Sequence, residues 1–154
     1  MVDQTNEARL RAAIELLYFA YRAFTAGPDR VLAQRGLGRV HHRVLYFVAR
    51  NPGVSVKQLL EILAISKQAL HLPLRQLQGM GLVESASDER DARVRRLRLS
   101  TEGVRLEARL TATQMRQLED AFSRGGPDAM QGWLSVMRAL AGPSPGETAG
   151  PADD

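Results

Sequence analysis

The sequence predicts a mainly α-helical protein that contains one small β-hairpin. Over most of the chain, apolar residues recur at intervals of three and four, which is the spacing of amphipathic helices. Leucine and arginine alternate strictly only near residues 94–100, which is the spacing of a half-buried strand. The chain of 154 residues is 44% hydrophobic and 25% charged. These values are ordinary for a globular protein with one moderate core.

The N-terminal part is predicted to form three helices. The first covers residues 6–24 and carries a broad apolar stripe of leucine, isoleucine, tyrosine and phenylalanine. Gly27 and Pro28 are expected to end it, with Pro28 in the first turn of a second, short helix. Gly36 then breaks the chain, and a third helix is expected over residues 39–50.

Two short helices separated by a tight break follow. Ser55 is expected to begin the first, because Gln58 stands three residues on, as in a capping box. Ser66 is a plausible N-cap for the second, which extends to about Gln78. The second helix has a buried face of leucines and an opposite polar face suited to base edges and phosphates. The polar face and its flanks comprise Gln68, His71, Leu72, Arg75, Gln76 and Gly79.

A charged hairpin and two further helices complete the pattern. Strands are predicted at Leu82-Val83 and over residues 94–100, joined by a polar tip. Ser100 or Thr101 is expected to cap a long helix that extends to about residue 124, and another helix follows Pro127. The tail from Gly142 lacks periodicity and is expected to be disordered.

Positive charge is concentrated in the segment with the short helices and the hairpin. Residues 35–100 contain 12 Lys and Arg against 5 Asp and Glu, whereas the remainder contains 9 against 12. A local excess of this kind is typical of phosphate binding. Two short helices followed by a basic hairpin form the pattern of a winged helix-turn-helix. The partner that this pattern indicates is double-stranded DNA.

Several classes of function are excluded or disfavoured by composition. The chain has no cysteine, so disulfides and thiolate metal sites are impossible. No set of side chains suggests catalysis, and we expect neither an enzyme nor a metal or other cofactor. No segment approaches the roughly 20 apolar residues of a membrane span, so no membrane partner is expected. The N-terminus lacks the pattern of a signal peptide, and a cytoplasmic location is the expectation.

The apolar stripes at the two ends of the chain predict a homodimer. The first and last helices are separated by the whole winged segment, yet both need a partner for burial. The helix over residues 101–124 is also longer than a compact domain of this size would cover. Intertwined packing with a second copy would bury these stripes and set two recognition helices about one DNA turn apart, roughly 34 Å.

The chain resembles the MarR family of bacterial transcriptional regulators over about residues 8–141. The most specific signals are ISKQAL at the start of the recognition helix and the D-x-R-D-x-R hairpin tip of residues 88–93. The resemblance implies a triangular homodimer, most often a repressor, whose interlocked terminal helices hold the winged units at the corners. The corresponding divisions are an N-terminal dimerisation segment, a DNA-binding domain, C-terminal dimerisation helices and a tail: residues 1–35, 36–100, 101–141 and 142–154.

Site residues are carried over from the family by position. Residues that would face the major groove lie on the recognition helix: Ser66, Lys67, Gln68, His71 and Arg75. Arg90 and Arg93 would place the wing tip in or beside the minor groove, and Arg95 is a further candidate for DNA binding. Asp88 and Asp91 would orient these two arginines, Arg90 and Arg93, through charge-assisted hydrogen bonds. Ser55 and the helix behind it would meet a phosphate with free backbone N–H groups.

One departure lies within the recognition helix. Pro73 removes the hydrogen bond that its N–H would make to Ala69, at a cost of up to about 3 kcal/mol, and should bend the helix. The bend puts the base-reading roles of His71 and Arg75 in more doubt than those of Lys67 and Gln68.

The family places an effector pocket between the dimer helices and the winged unit, which makes His41, His42 and Tyr18 candidates for binding a small aromatic ligand. The competing interpretation makes the histidines packed or hydrogen-bonded residues at a helix start, and Tyr18 a core or dimer contact. A metal site is disfavoured because adjacent helical residues point about 100° apart. The alternative function is a non-specific basic DNA-binding, architectural or helical interaction protein.

Overall fold

The computed structural model describes residues 4–144, which form six helices and three short strands. In chain order these elements are α1 (Gln4–Ala33), α2 (Arg39–Arg50), β1 (Val54–Ser55), α3 (Val56–Leu63), α4 (Lys67–Gly79), β2 (Val83–Ser87), β3 (Arg95–Leu99), α5 (Thr101–Gly125) and α6 (Ala129–Ala141). The mainly α-helical class with a β wing is confirmed. Residues 145–154, where most of the predicted disordered tail falls, lie outside the described residues.

The N-terminal helix does not end at Gly27 and Pro28, so the prediction of two helices there was wrong. Pro28 has no N–H to offer the carbonyl of Phe24, but the side-chain amide of Gln114 on α5 donates to that carbonyl at 3.4 Å. The amide of Gln117 similarly donates to the carbonyl of Ala23 at 3.1 Å. Pro28 itself is buried. Contacts with α5 therefore support one helix of 30 residues.

The helix-turn-helix is held by serine caps, as predicted. The Ser55 Oγ accepts from the Gln58 N–H at 3.1 Å, and the Gln58 side chain accepts from the Ser55 N–H at 3.0 Å. The Ser66 Oγ accepts from the Ala69 N–H at 3.1 Å. The turn between α3 and α4 passes through Ala64, whose φ of 51° is left-handed. Pro73 lies within α4 without ending it.

The sheet has three strands rather than the two of the predicted hairpin. The antiparallel order is β1-β3-β2, with Val54 opposite Leu97 and Val83 opposite Leu99. β1 has only two residues. A strand this short shows no alternation of apolar and polar residues from which it could be predicted. Pairing of β1 with β3 attaches the wing to the start of α3.

The core lies under the winged helix-turn-helix. Leucine and valine side chains from the C-terminal part of α1, the first half of α5 and every element between them form one buried cluster. Its members include Leu32, Leu45, Val48, Leu59, Leu70, Leu77, Leu82, Leu97 and Leu110. The basic surface therefore stands on a single packed unit.

The remaining apolar surface lies on the terminal helices. Within the described part of the chain, α6 buries no residue, and α1 buries none before Thr25. Ile14 is 68% exposed, Tyr18 61% and Val136 62%. Other exposed large apolar side chains on α1 and α6 are Leu10, Leu16, Leu17, Phe19, Tyr21, Met130, Trp133 and Leu140. A helix without a buried face is unusual in a monomer.

None of the helices in residues 4–144 combines the length and apolar character needed to cross a membrane.

Candidate nucleic-acid interface

The outer face of α4 is exposed and mostly polar. Leu70, Leu74 and Leu77 are buried, and the opposite side presents Gln68 and Leu72. The other predicted groove-facing side chains of this helix are also exposed: Lys67, His71 and Arg75. Ser66 is exposed too, although its hydroxyl is already engaged as the N-cap.

A cleft joins the side of α4 to the base of the wing. His71 and Arg75 line it from the helix, whereas Ser85 and Arg95 line it from the strands. The cleft therefore places Arg95 beside the two α4 residues whose roles Pro73 put in doubt. The helix and the wing form one continuous basic surface here, as a phosphate-binding surface requires.

Arg95 is fixed by two serines of the neighbouring strand. Its Nη1 donates to the Ser87 Oγ at 3.0 Å, and its Nη2 donates to the Ser85 Oγ at 3.2 Å. The antiparallel register causes this contact, because Ser87 is directly opposite Arg95 and Ser85 lies on the same face two residues on. The sequence analysis did not single out these serines. Their alternate spacing opposite an arginine is the signal that it missed.

The wing tip contains the predicted contact between Asp91 and Arg93. The Arg93 Nε and Nη2 donate to the two carboxylate oxygens of Asp91 at 3.0 and 3.1 Å. The Arg93 backbone N–H also donates to Asp91 at 3.1 Å. The hydrogen bond from the Arg93 side chain is the main reason why the pKa of Asp91 is lowered. The Arg93 side chain remains 91% exposed, so the carboxylate orients this cation without burying it.

Asp88 orients a different arginine from the one expected. Its Oδ1 accepts from the Arg96 Nε at 3.0 Å, whereas its Oδ2 accepts from the backbone N–H groups of Arg90 and Asp91 at 3.0 and 3.1 Å. These contacts, with Arg96 the largest cause, lower the pKa of Asp88. Arg96 also donates to the Gly53 carbonyl at 3.3 Å. Through Arg96, Asp88 therefore connects the wing tip to the loop before β1. Asp88 makes no contact with the Arg90 side chain, only with the Arg90 backbone N–H.

Arg90 and Ser55 differ in their availability to DNA. The Arg90 side chain is exposed and makes no ion pair or hydrogen bond within residues 4–144. The Ser55 side chain is only 8% exposed and is occupied by the capping box. The same box uses the N–H groups of Ser55 and Gln58. The N–H groups of Ser55 and Gln58 are therefore not free for the phosphate contact that the sequence suggested.

A cavity of about 350 Å³ lies between α1, α2 and α5. His42 lines it together with Tyr21, Arg39 and Arg43. Further lining residues are Phe24, Tyr46, Phe47, Met115 and Leu118. The pKa of His42 is lowered, mainly because burial disfavours the charged ring. The cavity therefore combines aromatic walls with two guanidinium groups.

Two of the three predicted ligand residues lie outside this cavity. Tyr18 is exposed on α1, where its ring meets Phe19 edge-on at 5.4 Å and Arg22 stands over it. Tyr21, three residues on, takes the place expected for Tyr18: its hydroxyl accepts from the Arg43 Nη2 at 2.8 Å, and Arg39 lies 5.4 Å from its ring centroid. His41 is turned toward α4.

Comparison with known proteins decides the family. The MarR family profile matches residues 35–94. The chain is also 42% identical over 139 residues to the HTH-type transcriptional regulator PetP of Rhodobacter capsulatus, covering 90% of this chain and 84% of that protein. The chain belongs to the MarR family. As a MarR-family protein, it is a DNA-binding transcription regulator, and its relatives are regulators rather than enzymes.

Solved structures show the same MarR fold. The crystal structure of a MarR family transcription regulator superposes with a TM-score of 0.75 at 24% identity, covering 90% of this chain and 91% of that one. The PcaV transcriptional regulator from Streptomyces coelicolor, in complex with its natural ligand, superposes with a TM-score of 0.66 at 20% identity. That match covers 92% of this chain and 96% of PcaV.

In this MarR-family chain, His41 connects the cavity helix to the recognition helix. Its Nδ1 accepts from the Gly38 N–H at 3.0 Å, which caps the start of α2 and assigns the ring proton to Nε2. The Nε2 then donates to the Gln76 Oε1 at 2.7 Å. The hydrogen-bonding alternative for His41 is therefore what the structure contains. No group of three histidine or carboxylate side chains in residues 4–144 is arranged to hold a metal ion.

Proposed function

We propose that this MarR-family regulator is a homodimeric repressor that binds a palindromic operator and is released by a small aromatic acid. The observation that carries the proposal is the continuous surface of α4 and the wing. On it, an exposed polar helix face lies beside arginines that serines and aspartates hold in place. Base contacts would come from Gln68 and its neighbours, and phosphate contacts from the wing.

The homodimer is supported by the apolar faces of α1 and α6. Side chains as large as Ile14 and Val136 are 68% and 62% exposed, which is not expected of a monomer that must stay in solution. The two helices lie at opposite ends of the chain, so a symmetric partner offers each of them an apolar surface. A two-fold dimer would also present two copies of α4, and its symmetry would require an operator made of two inverted half-sites.

Release by an aromatic acid is supported by the chemistry of the cavity. The rings of Tyr21, Phe24, Tyr46 and Phe47 would pack against an aromatic ligand, and Arg43 would pair with its carboxylate. PcaV, which shares the fold, has been crystallised with its natural ligand. The cavity borders α2, and α2 is tied to α4 through His41 and Gln76. A ligand that displaced α2 would therefore either break this hydrogen bond or draw the recognition helix with it.

The DNA-binding part is tested by fluorescence anisotropy on the DNA upstream of the protein's own gene. Arg90→Ala should weaken binding to every sequence alike and lower the salt dependence, because a phosphate contact carries no sequence information and the Arg90 side chain has no hydrogen-bond or ion-pair partner within residues 4–144. Gln68→Ala should instead relax the preference at one position by roughly 1–3 kcal/mol. If the wild-type protein binds all DNA equally with a steep salt slope, it is the alternative, non-specific binder.

Assembly and release need separate measurements. Sedimentation should give a dimer for the wild type. Ile14→Glu should shift the equilibrium toward the monomer, because a charge would replace an apolar side chain that is exposed in the single chain and buried in the proposed dimer. A wild-type monomer at micromolar concentration would refute the homodimer.

For release, aromatic carboxylic acids are screened by thermal shift and then by DNA dissociation. An acid that raises the melting temperature of wild type but not of Arg43→Ala, and that frees DNA only from wild type, is the expected result. If no acid does either, this part of the proposal fails.

A further inference from the structure

Leu72 is a strongly exposed apolar side chain whose position the proposed dimer does not explain. Nearly all other large apolar side chains exposed in residues 4–144 lie on α1, α5 or α6, where a second copy would cover them. The exceptions are Leu72 and Met80. Met80 lies at the C-cap of α4, 43% exposed, whereas Leu72 is in the middle of that helix and 63% exposed.

Leu72 is placed at the centre of the outer face of α4. With 100° per residue, it lies directly opposite the buried leucines and is flanked by Gln68 one turn earlier and by Gln76 one turn later. Gly79, two turns on, has no atom within 4 Å of the place where a Cβ would stand. A surface could therefore approach the Leu72 side chain closely without meeting a bulky neighbour beyond it.

The surroundings of Leu72 favour duplex DNA as the occupant. Lys67 and Arg75 lie on the same exposed helix, and Arg95 stands across the cleft. A protein partner with an apolar surface would have to face these cations. Duplex DNA instead supplies phosphates for the cations and, in the major groove, one apolar group: the 5-methyl of thymine.

We propose that Leu72 is a specificity-determining residue that packs against a thymine 5-methyl group in each half-site of the operator. This inference rests on the proposed operator binding and adds the identity of one base to it. Gln68 and Leu72 are four residues apart, which is about 6 Å along the helix axis. The thymine is therefore expected within about two base pairs of the base that Gln68 contacts, since base pairs are spaced about 3.4 Å apart.

The test removes the methyl group from the DNA and the side chain from the protein. In a bound operator, each thymine is replaced in turn by deoxyuridine, symmetrically in both half-sites, which deletes the methyl and keeps the base pair. At one position wild-type affinity should fall about fourfold per half-site, or about 15-fold for both, from the burial of one carbon each. Leu72→Ala should bind the thymine operator less tightly and lose its sensitivity to deoxyuridine at that position. Leu72→Met should retain it.

Met80→Ala is the matched control, because it truncates the other exposed apolar side chain of this region and should leave the deoxyuridine effect unchanged. Failure of the inference is distinct from failure of the proposed function. If the wild type has no preferred DNA sequence, operator binding itself is wrong. If it has an operator but no deoxyuridine position weakens it, or if Leu72→Ala stays as sensitive as wild type, operator binding stands and the role of Leu72 is refuted.

Discussion

Gly103 occupies the point where the wing meets the long helix α5, and its replacement by alanine would push the two apart. A Cβ at this position would lie 2.0 Å from the Leu82 carbonyl oxygen and 3.3 Å from the Leu99 Cβ. Ordinary contact begins near 3.4 Å, so the oxygen must retreat by more than an ångström. It belongs to the backbone and already accepts a hydrogen bond from the Ser100 N–H at 3.0 Å. A rotamer change cannot relieve the clash.

The expected loss of stability in Gly103→Ala is the sum of one stabilising effect and two destabilising effects. In a helix, alanine is favoured over glycine by up to about 1 kcal/mol. Overpacking against fixed atoms costs about 1–3 kcal/mol. The Gly103 N–H donates to the Ser100 Oγ at 3.0 Å, and disturbing that N-cap costs about 1 kcal/mol more. The net expectation is a loss of about 1–3 kcal/mol, or about 2–4 °C in melting temperature for each kcal/mol.

Gly132→Ala provides the matched control. Gly132 also lies within a helix, α6, but no atom stands within 4 Å of its would-be Cβ. Within a single chain only the helical preference remains, so this variant should gain up to about 1 kcal/mol in the stability of the monomer. Thermal unfolding followed by circular dichroism compares the two at equal protein concentration. A Gly103→Ala variant that is as stable as Gly132→Ala would refute the close contact. DNA affinity, measured where both are folded, should fall only in Gly103→Ala, because the wing would be displaced from α5.

Three further predictions concern the turn, the cavity and the wing tip. Ala64→Gly should raise stability by up to about 1 kcal/mol, because the left-handed φ of 51° suits glycine; an unchanged melting temperature would contradict this. Burial lowers the pKa of His42, so the folded state binds fewer protons than the unfolded state, and stability should fall as the pH drops through the ordinary histidine range, near 6.5. His42→Gln should flatten that slope, and an equal slope in both proteins would rule His42 out. Asp88→Ala should reduce DNA affinity at least as much as Arg90→Ala, because it releases Arg96 and two backbone N–H groups of the tip. An affinity equal to that of the wild type would show that these hydrogen bonds are not needed to hold the tip in its DNA-binding conformation.

Local pattern was sufficient for most helices and insufficient for contacts between distant segments. The serine caps at Ser55 and Ser66 were predictable because both partners of each hydrogen bond lie within three residues. The continuation of α1 through Pro28 was not predictable, since the donor to the Phe24 carbonyl comes from Gln114, 90 residues away. Family resemblance supplied the fold, but not this exception.

The wing illustrates the same distinction within a few residues. Asp91 and Arg93 are two apart and meet as the motif suggests. Asp88 instead meets Arg96, because the hairpin returns the chain to its side. That pairing depends on the strand register, with Ser87 opposite Arg95. A motif written along the chain gives only the nearest candidates for each carboxylate, so Arg90 appeared held when it is free to reach a phosphate.

The adjacent histidines of α2 have different surroundings. Because neighbouring helical residues point about 100° apart, His41 and His42 cannot both face the cavity. His42 lines the cavity, and His41 hydrogen-bonds to Gln76 on the recognition helix. A rotation of α2 that repositions His42 around a ligand must therefore also displace His41 from Gln76 or draw α4 with it. In this arrangement the proposed ligand would not need to touch the proposed DNA-binding surface to change it. His41, which the sequence suggested as a ligand contact, instead connects α2 to α4.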